Sequence, residues 1–303
     1  MQNTWINKAL MRDFEAERTD AYRLCTIANG WVERFGQDIL VSFKDQAGRE
    51  RLTTEFFSWA EAMEFNTQRI FERFLPKRNE EREPPKLTLG DSCGSSRTIV
   101  MERGLHYEID FSSGYSVGLF IDQRENRSFV RKATTERALN CFAYTCSFSV
   151  AAAIAGATTV SVDLSQKSLE RGRQNFALNN LPAMGHQFIA DDVFEVVPRL
   201  ARKGEKFDLI VLDPPTFSRS HRGKTFKVQS DFESLLREAL EVAGRDARIL
   251  LSTNCATLNE RALDVMARFC LKASRRAGTF HSEPQPRDFP PGSGASSIWL
   301  TLR

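Results

Sequence analysis

Three acidic sites in this 303-residue chain close short apolar runs: Asp163 after TTVSV, Asp191-Asp192 after HQFIA, and Asp213 after FDLIVL. A carboxylate just past a core strand can accept hydrogen bonds from both hydroxyls of a ribose. One at a neighbouring strand end can take the exocyclic amino group of adenine. After another apolar run, ALNCFA, the residues Tyr144-Thr145-Cys146-Ser147-Phe148 enter a predicted helix, whose unpaired N–H groups suit an anionic ligand end. Each Asp alone also suits a turn or a helix N-cap. In register, the set describes a site for an adenosine-bearing cofactor.

Beyond Asp213 come Pro214, Pro215, Thr216 and Phe217. Prolines lack an N–H and fix φ, so this loop is stiff and rich in carbonyls, a platform on which an extruded base can stack, with Phe217 as a stacking face. Arg219, Arg222, Lys224 and Lys227, with His221 among them, follow and suit the phosphates beside that base.

The elements that must hold these residues alternate. Residues 138–143, 158–164, 186–190, 207–213 and 247–253 are short, apolar and rich in β-branched residues, and helical segments separate them. This pattern predicts a doubly wound, mostly parallel α/β sheet with ligands beyond the carboxyl ends of its strands. Upstream, 22–43 reads as two short strands around turns at Asn29-Gly30 and Phe35-Gly36. Phe56, Ala60, Met63, Thr67, Ile70 and Phe74 recur at helical spacing and predict one amphipathic helix. The charged, Pro/Gly/Ser-rich stretch 75–96 reads as a linker, and 106–122 as a hairpin turning at Ser112-Ser113-Gly114. The expected organisation is a small α+β domain with its linker over 1–95, then a hairpin and catalytic α/β domain over 96–303. The first of these is expected to help frame an RNA cleft, and 289–294 to form a loop near the active-site mouth.

With 41% hydrophobic and 27% charged residues, the composition is that of an ordinary globular protein. No apolar run approaches the roughly 18 residues of a membrane span, and the acidic N-terminal stretch is unlike a secretory signal. A net charge of +3 does not by itself announce nucleic-acid binding. The six cysteines form no C-x-x-C pair and no Cys/His zinc spacing, which predicts no metal. Several lie in predicted core strands, which points to a reduced, cytoplasmic setting. The four histidines fit no catalytic triad. A dinucleotide would require G-x-G-x-x-G after the first strand of the sheet, where the chain has Tyr-Thr-Cys-Ser-Phe-Ser instead. S-adenosylmethionine has no pyrophosphate and tolerates such a loop, so it is favoured over NAD.

The motifs GLFIDQREN (118–126), LNCFAYT (139–145), SVDLSQKSLERGRQN (161–175), ADDVF (190–194) and FDLIVLDPPTFS (207–218) together resemble the S-adenosylmethionine-dependent 23S rRNA methyltransferases, which include cytosine-5 and related guanine-N7 enzymes. The resemblance implies a Rossmann-like class I methyltransferase domain and ribosomal RNA as partner. It implies that Phe120, Asp122, Gln123 and Arg124 close over the cofactor, that Tyr144 to Phe148 cradle its methionyl end, and that Asp163, with Leu164 beside it, holds the ribose. Asp192 and Val193 would flank the adenine. Asp213 and Pro214 would face both cofactor and target base, with Pro215, Phe217, Arg219, Arg222, Lys224 and Lys227 on the RNA side.

Carbon-5 of cytosine is a poor nucleophile, and enzymes overcome this by adding a cysteine thiolate to C6. The family's cytosine-5 members carry that nucleophile where Cys255 sits in STNCATL. The wording DPPTFS is more typical of the guanine-N7 branch, which needs no covalent catalyst. A catalytically silent fold that binds RNA is the third reading. Two departures from the family stand out. Cys146-Ser147 replaces the usual Gly-Gly or Gly-Ser, and a Cβ at 146 is expected to hinder positive φ and narrow the loop. The N-terminal PUA module of the cytosine-5 enzymes is also missing from the pattern.

Overall fold

The computed structural model describes residues 5–77, 80–133, 135–219, 225–255 and 257–303. The chain forms two compact units, Met1–Ile121 with Pro286–Pro290, and Asp122–Gln285 with Pro291–Arg303.

The first unit comprises α1 (Lys8–Ala16), β1 (Ala21–Ile27), β2 (Gly30–Phe35), β3 (Asp38–Phe43), α2 (Gln46–Met63), β4 (Arg69–Phe74), β5 (Lys86–Leu89), and a hairpin of β6 (Arg97–Glu102) and β7 (Leu105–Asp110). The first five strands form one sheet in chain order, with β3 and β4 parallel across the α2 crossover. Its core gathers Leu24, Val32, Ile39, Val41, Leu52 and Phe56.

Four local readings need correction. The helix stops at Met63, where Glu64 turns left-handed at φ +55, and Ile70 and Phe74 belong to β4, with Ile70 opposite Ile39. Spacings of four satisfy both a helix face and a strand face, so periodicity alone merged two elements. Residues 22–43 make three strands rather than two, because both proposed turns reverse the chain. The expected linker supplies the edge strand β5. The hairpin turns at Arg103-Gly104, both left-handed, while Ser112 and Ser113 donate hydrogen bonds to Asp110. That hairpin packs within the first unit: Phe111, just past it, stacks on Phe71 at 3.9 Å, and the Met101 N–H donates to Asp20. By packing, the division therefore lies at 121/122.

The second unit comprises α3 (Arg124–Lys132), β8 (Arg137–Cys141), α4 (Ser147–Ile154), β9 (Thr158–Asp163), α5 (Gln166–Leu178), β10 (Gln187–Ala190), α6 (Val193–Arg202) and β11 (Phe207–Leu212). A hairpin of β12 (Phe217–Arg219) and β13 (Thr225–Lys227) follows, then α7 (Val228–Val242), β14 (Ala243–Thr253), α8 (Glu260–Ala273), β15 (Gly278–His281) and β16 (Ser296–Leu302). Seven strands form one sheet in the order β10-β9-β8-β11-β14-β16-β15, parallel except at β16. Strands covered on both faces must be apolar on both, which explains the continuous hydrophobic runs. Strand order reverses between β8 and β11, and ligands bind at such a switch point. Among the described residues no helix is long and apolar enough to cross a membrane, and no group of three or more His, Cys, Asp or Glu could hold a metal.

Candidate active site

β8 ends at Cys141, and the loop that follows is wound tightly. Phe142, Tyr144 and Cys146 take φ of +59, +47 and +61. Left-handed backbone costs each such residue roughly 1–2 kcal/mol, so the loop needs fixed partners. The Ala143 N–H donates to the Val162 carbonyl at 2.9 Å, the Cys146 N–H to the Ala143 carbonyl at 2.7 Å, and the Asn175 amide to the Thr145 carbonyl at 2.9 Å. The expected obstruction at Cys146 does not arise. Its side chain lodges where Gly172 of α5 leaves room, and a Cβ added at Gly172 would lie 2.4 Å from the Cys146 sulfur. Burial pushes that thiol up to about 12, so it stays protonated. Ser147 and Phe148 then start α4.

Asp163 closes β9 half-buried. Its carboxylate accepts the Tyr144 N–H and the Ser165 N–H, each at 2.8 Å, while Leu164 lies between. Burial raises its pKa and the two N–H donors pull it back. β10 runs alongside, with Ala190 opposite Asp163, so Asp191 and Asp192 emerge at the same edge. Asp191 pairs with Arg199 at 3.4 Å. Asp192 caps α6 by accepting the Phe194 N–H at 3.0 Å, and Val193 behind it is buried.

Asp213 follows β11, the strand flanked by β8 and β14, with Leu212 opposite both Cys141 and Leu251. Its carboxyl is pushed up to about 6 by burial and by Asp122, while the Ser252 hydroxyl and Arg127 pull it back. Behind it runs a buried polar chain. The Gln123 amide donates to Ser252 at 2.7 Å, the Asn126 amide donates to Gln123 at 2.8 Å, and the Trp299 ring N–H donates to Asn126 at 2.9 Å. The Gln123 side chain is thus committed to the support of Asp213, and Arg124 next to it is buried. Asp122 accepts the Ala295 N–H at 3.2 Å. Phe120 belongs to the first unit and is exposed. Asn126 and Ser252 lie inside motifs the sequence marks, but nothing local marks the contacts Gln123–Ser252 and Asn126–Trp299, which join residues far apart along the chain.

Pro214 is buried, and Pro215 and Phe217 are exposed. The expected basic loop is instead a hairpin, with Phe217 opposite Lys227 and Arg219 opposite Thr225. Arg222 and Lys224 lie outside the described residues. Phe226 anchors the hairpin against Phe142 and Phe194, at 5.8 and 5.5 Å between ring centroids. Cys255, two residues past β14, is buried at 6% exposure. Burial raises its thiol pKa, but hydrogen bonds from Thr257, Gln229 and the Leu258 N–H outweigh this and bring it below the ordinary value.

The S-adenosylmethionine-dependent methyltransferase family profile matches residues 89–292. Ribosomal RNA large subunit methyltransferase I of Aeromonas salmonicida is 38% identical over 201 residues, covering 64% of this chain and 50% of that protein. Ribosomal RNA large subunit methyltransferase K/L of a Psychrobacter species is 43% identical over 161 residues, covering 52% of this chain and 20% of that protein. The chain spans about half the length of the first of these, and less of the second. Among solved structures, a methyltransferase complexed with SAH superposes with a TM-score of 0.83 at 24% identity, over 97% of this chain and 78% of that one. A SAM-dependent methyltransferase from Agrobacterium tumefaciens gives 0.72 at 19% identity, over 94% and 90%. These likenesses show the class I fold. With the profile matching more than half of its length, the chain belongs to the S-adenosylmethionine-dependent methyltransferase family.

Proposed function

We propose that this chain methylates a base of large-subunit ribosomal RNA, at C5 of a cytosine through a transient bond to Cys255. The observation that carries the reading is the placement of Asp213 and Cys255 beyond the carboxyl ends of adjacent parallel strands, next to the loop after β8. The substrate class follows the names of the relatives, which act on ribosomal RNA of the large subunit.

The residues fit S-adenosylmethionine. Asp163 offers a half-buried carboxylate to the ribose, and Asp192 and Val193 lie at the adjoining edge for adenine. The loop from Tyr144 to Phe148 is held by Cys146 packed beside Gly172, without the glycines a pyrophosphate would need, which suits a ligand without pyrophosphate. Bound there, the cofactor supplies an electrophilic methyl group on a sulfonium sulfur.

The chain's own residues do the rest. The Cys255 thiolate forms a bond to C6 of the cytosine while N3 takes a proton from Asp213, whose carboxyl pKa of about 6 suits proton transfer near neutrality. The adduct leaves C5 electron-rich, and C5 accepts the methyl group. A water molecule then takes the C5 hydrogen as a proton, the C6–S bond breaks with its electron pair returning to the Cys255 thiolate, and N3 returns its proton to Asp213. Pro215 and Phe217 offer the stacking surface, and Arg219, Arg222, Lys224 and Lys227 supply positive charge suited to RNA phosphates. The first unit is proposed to add RNA affinity. Guanine N7 is the second reading, favoured by the Asp213-Pro214-Pro215-Thr216-Phe217 wording, and it gives Cys255 no chemical role.

The test is transfer from labelled S-adenosylmethionine to unmodified large-subunit RNA, with digestion to nucleosides. Label in 5-methylcytidine is expected. Label in 7-methylguanosine removes the nucleophile, and no label beside an active family member defeats the RNA-methylation reading.

A further inference from the structure

Cys255 is not alone at the end of β14. Its sulfur lies 3.2 Å from the Thr257 hydroxyl oxygen, and that oxygen lies 2.5 Å from the side-chain amide nitrogen of Gln229, at the start of α7. An amide nitrogen can only donate. With its oxygen accepting from Gln229, the Thr257 hydroxyl has one proton left, and the sulfur is within its reach. The Cys255 N–H donates to Thr253 at 3.1 Å, which fixes the backbone beneath the thiol.

We propose that Gln229 and Thr257 are positioning residues for Cys255: Gln229 orients the Thr257 hydroxyl so that its proton is presented to the sulfur and stabilises the thiolate. The inference rests on the reading of Cys255 as nucleophile and deepens it. The lowered thiol pKa agrees with this geometry, because the donors that outweigh burial are the Thr257, Gln229 and Leu258 groups. All of these are neutral. Charged groups on the flanking segments include Lys227 at the end of β13, whose N–H donates to Asp231 in the first turn of α7 at 2.8 Å, Glu233 further along α7, Glu260 at the start of α8, and Asp213 beyond β11.

The arrangement also ties chemistry to substrate. Gln229 stands two residues past Lys227, where β13 passes into α7. The turn that carries the RNA-side hairpin therefore also carries the group that orients the nucleophile's donor. A displaced hairpin would withdraw Gln229 and leave a less acidic thiol.

The experiment is alkylation of Cys255 by iodoacetamide from pH 6 to 9.5, read on its own peptide by mass spectrometry in the full chain. In wild type the pH midpoint of Cys255 alkylation should lie below the ordinary thiol value of about 8.5. Thr257→Val should slow alkylation at pH 7 about tenfold by raising the midpoint about one unit, Gln229→Ala about threefold, and Thr257→Ser should restore it. Midpoints that do not move in either variant, or a wild-type Cys255 midpoint at or above about 8.5, overturn the proposal. Parallel methyl-transfer assays keep the two readings apart. Shifted alkylation with no 5-methylcytidine sinks the covalent reading alone, whereas 5-methylcytidine with unshifted alkylation sinks the cradle alone.

Discussion

The Gln123 amide nitrogen lies 2.7 Å from the Ser252 hydroxyl oxygen, so the Ser252 proton is left to Asp213. The proposed Gln229–Thr257–Cys255 arrangement has the same pattern: a glutamine amide donates to a hydroxyl that lies within hydrogen-bond reach of a second group. Ser252→Ala removes a donor to the carboxylate, and the Asp213 pKa should rise about one further unit above about 6. Carbon-13 titration of the Asp213 carboxyl would show it. An unmoved midpoint would mean that the buried chain from Trp299 ends before Asp213.

Asp213 should also weaken the cofactor-free fold. A carboxyl raised from 3.8 to about 6 favours the native state only while protonated, so stability is lost as pH climbs through that window and stays lost above it. Asp213→Asn removes the penalty. In urea unfolding the variant should exceed wild type by up to about 3 kcal/mol at pH 7.5, with the gap about half as large at pH 5. Methyl transfer should fall a hundredfold or more if Asp213 handles the N3 proton. A gap that ignores pH would place the cause in packing rather than charge.

The parallel sheet was legible because strands buried on both faces leave short runs such as FDLIVL, and because three of them, β9, β10 and β11, run into an Asp at the ligand edge. What stayed hidden was contact across the chain. Gln123 and Ser252 are 129 residues apart, Asn126 and Trp299 173 apart, and no local pattern marks either pair. β4 was hidden for another reason: Ile70 and Phe74 are four apart, which a helix and a strand satisfy equally. The segment 217–227 carries so many charges that it read as a loop, yet its described ends pair as β12 and β13, and Phe226 is buried against Phe142 and Phe194.

Cys146 and Gly172 should behave as one unit. The cysteine looked like a fault in the cofactor loop, yet its sulfur occupies the space that a side chain at 172 would need. Gly172→Ala should therefore displace the loop, lowering S-adenosylmethionine affinity tenfold or more and stability by about 1–3 kcal/mol. Cys146→Gly alone should bind the cofactor nearly as wild type does, and the double variant Cys146→Gly/Gly172→Ala should recover most of the loss. Calorimetric titration of the four proteins reads this directly. A Gly172→Ala protein that binds normally, or a double variant no better than the single, would break the pairing.

Phe217 and Phe226 share one hairpin, and their substitutions should separate. Phe217 is 54% exposed, so its removal should leave folding and S-adenosylmethionine affinity untouched. If it stacks on a base, Phe217→Ala should weaken RNA binding about tenfold, since one base–aromatic stack contributes roughly 1–3 kcal/mol. Phe226 is buried between the loop after β8 and the first turn of α6, so Phe226→Ala should destabilise the second unit and weaken cofactor and RNA binding together. Filter binding with an rRNA fragment, alongside calorimetry for the cofactor, distinguishes the two. Unchanged RNA affinity in Phe217→Ala would move the stacking role away from the hairpin and onto the rigid Asp213-Pro214-Pro215 turn.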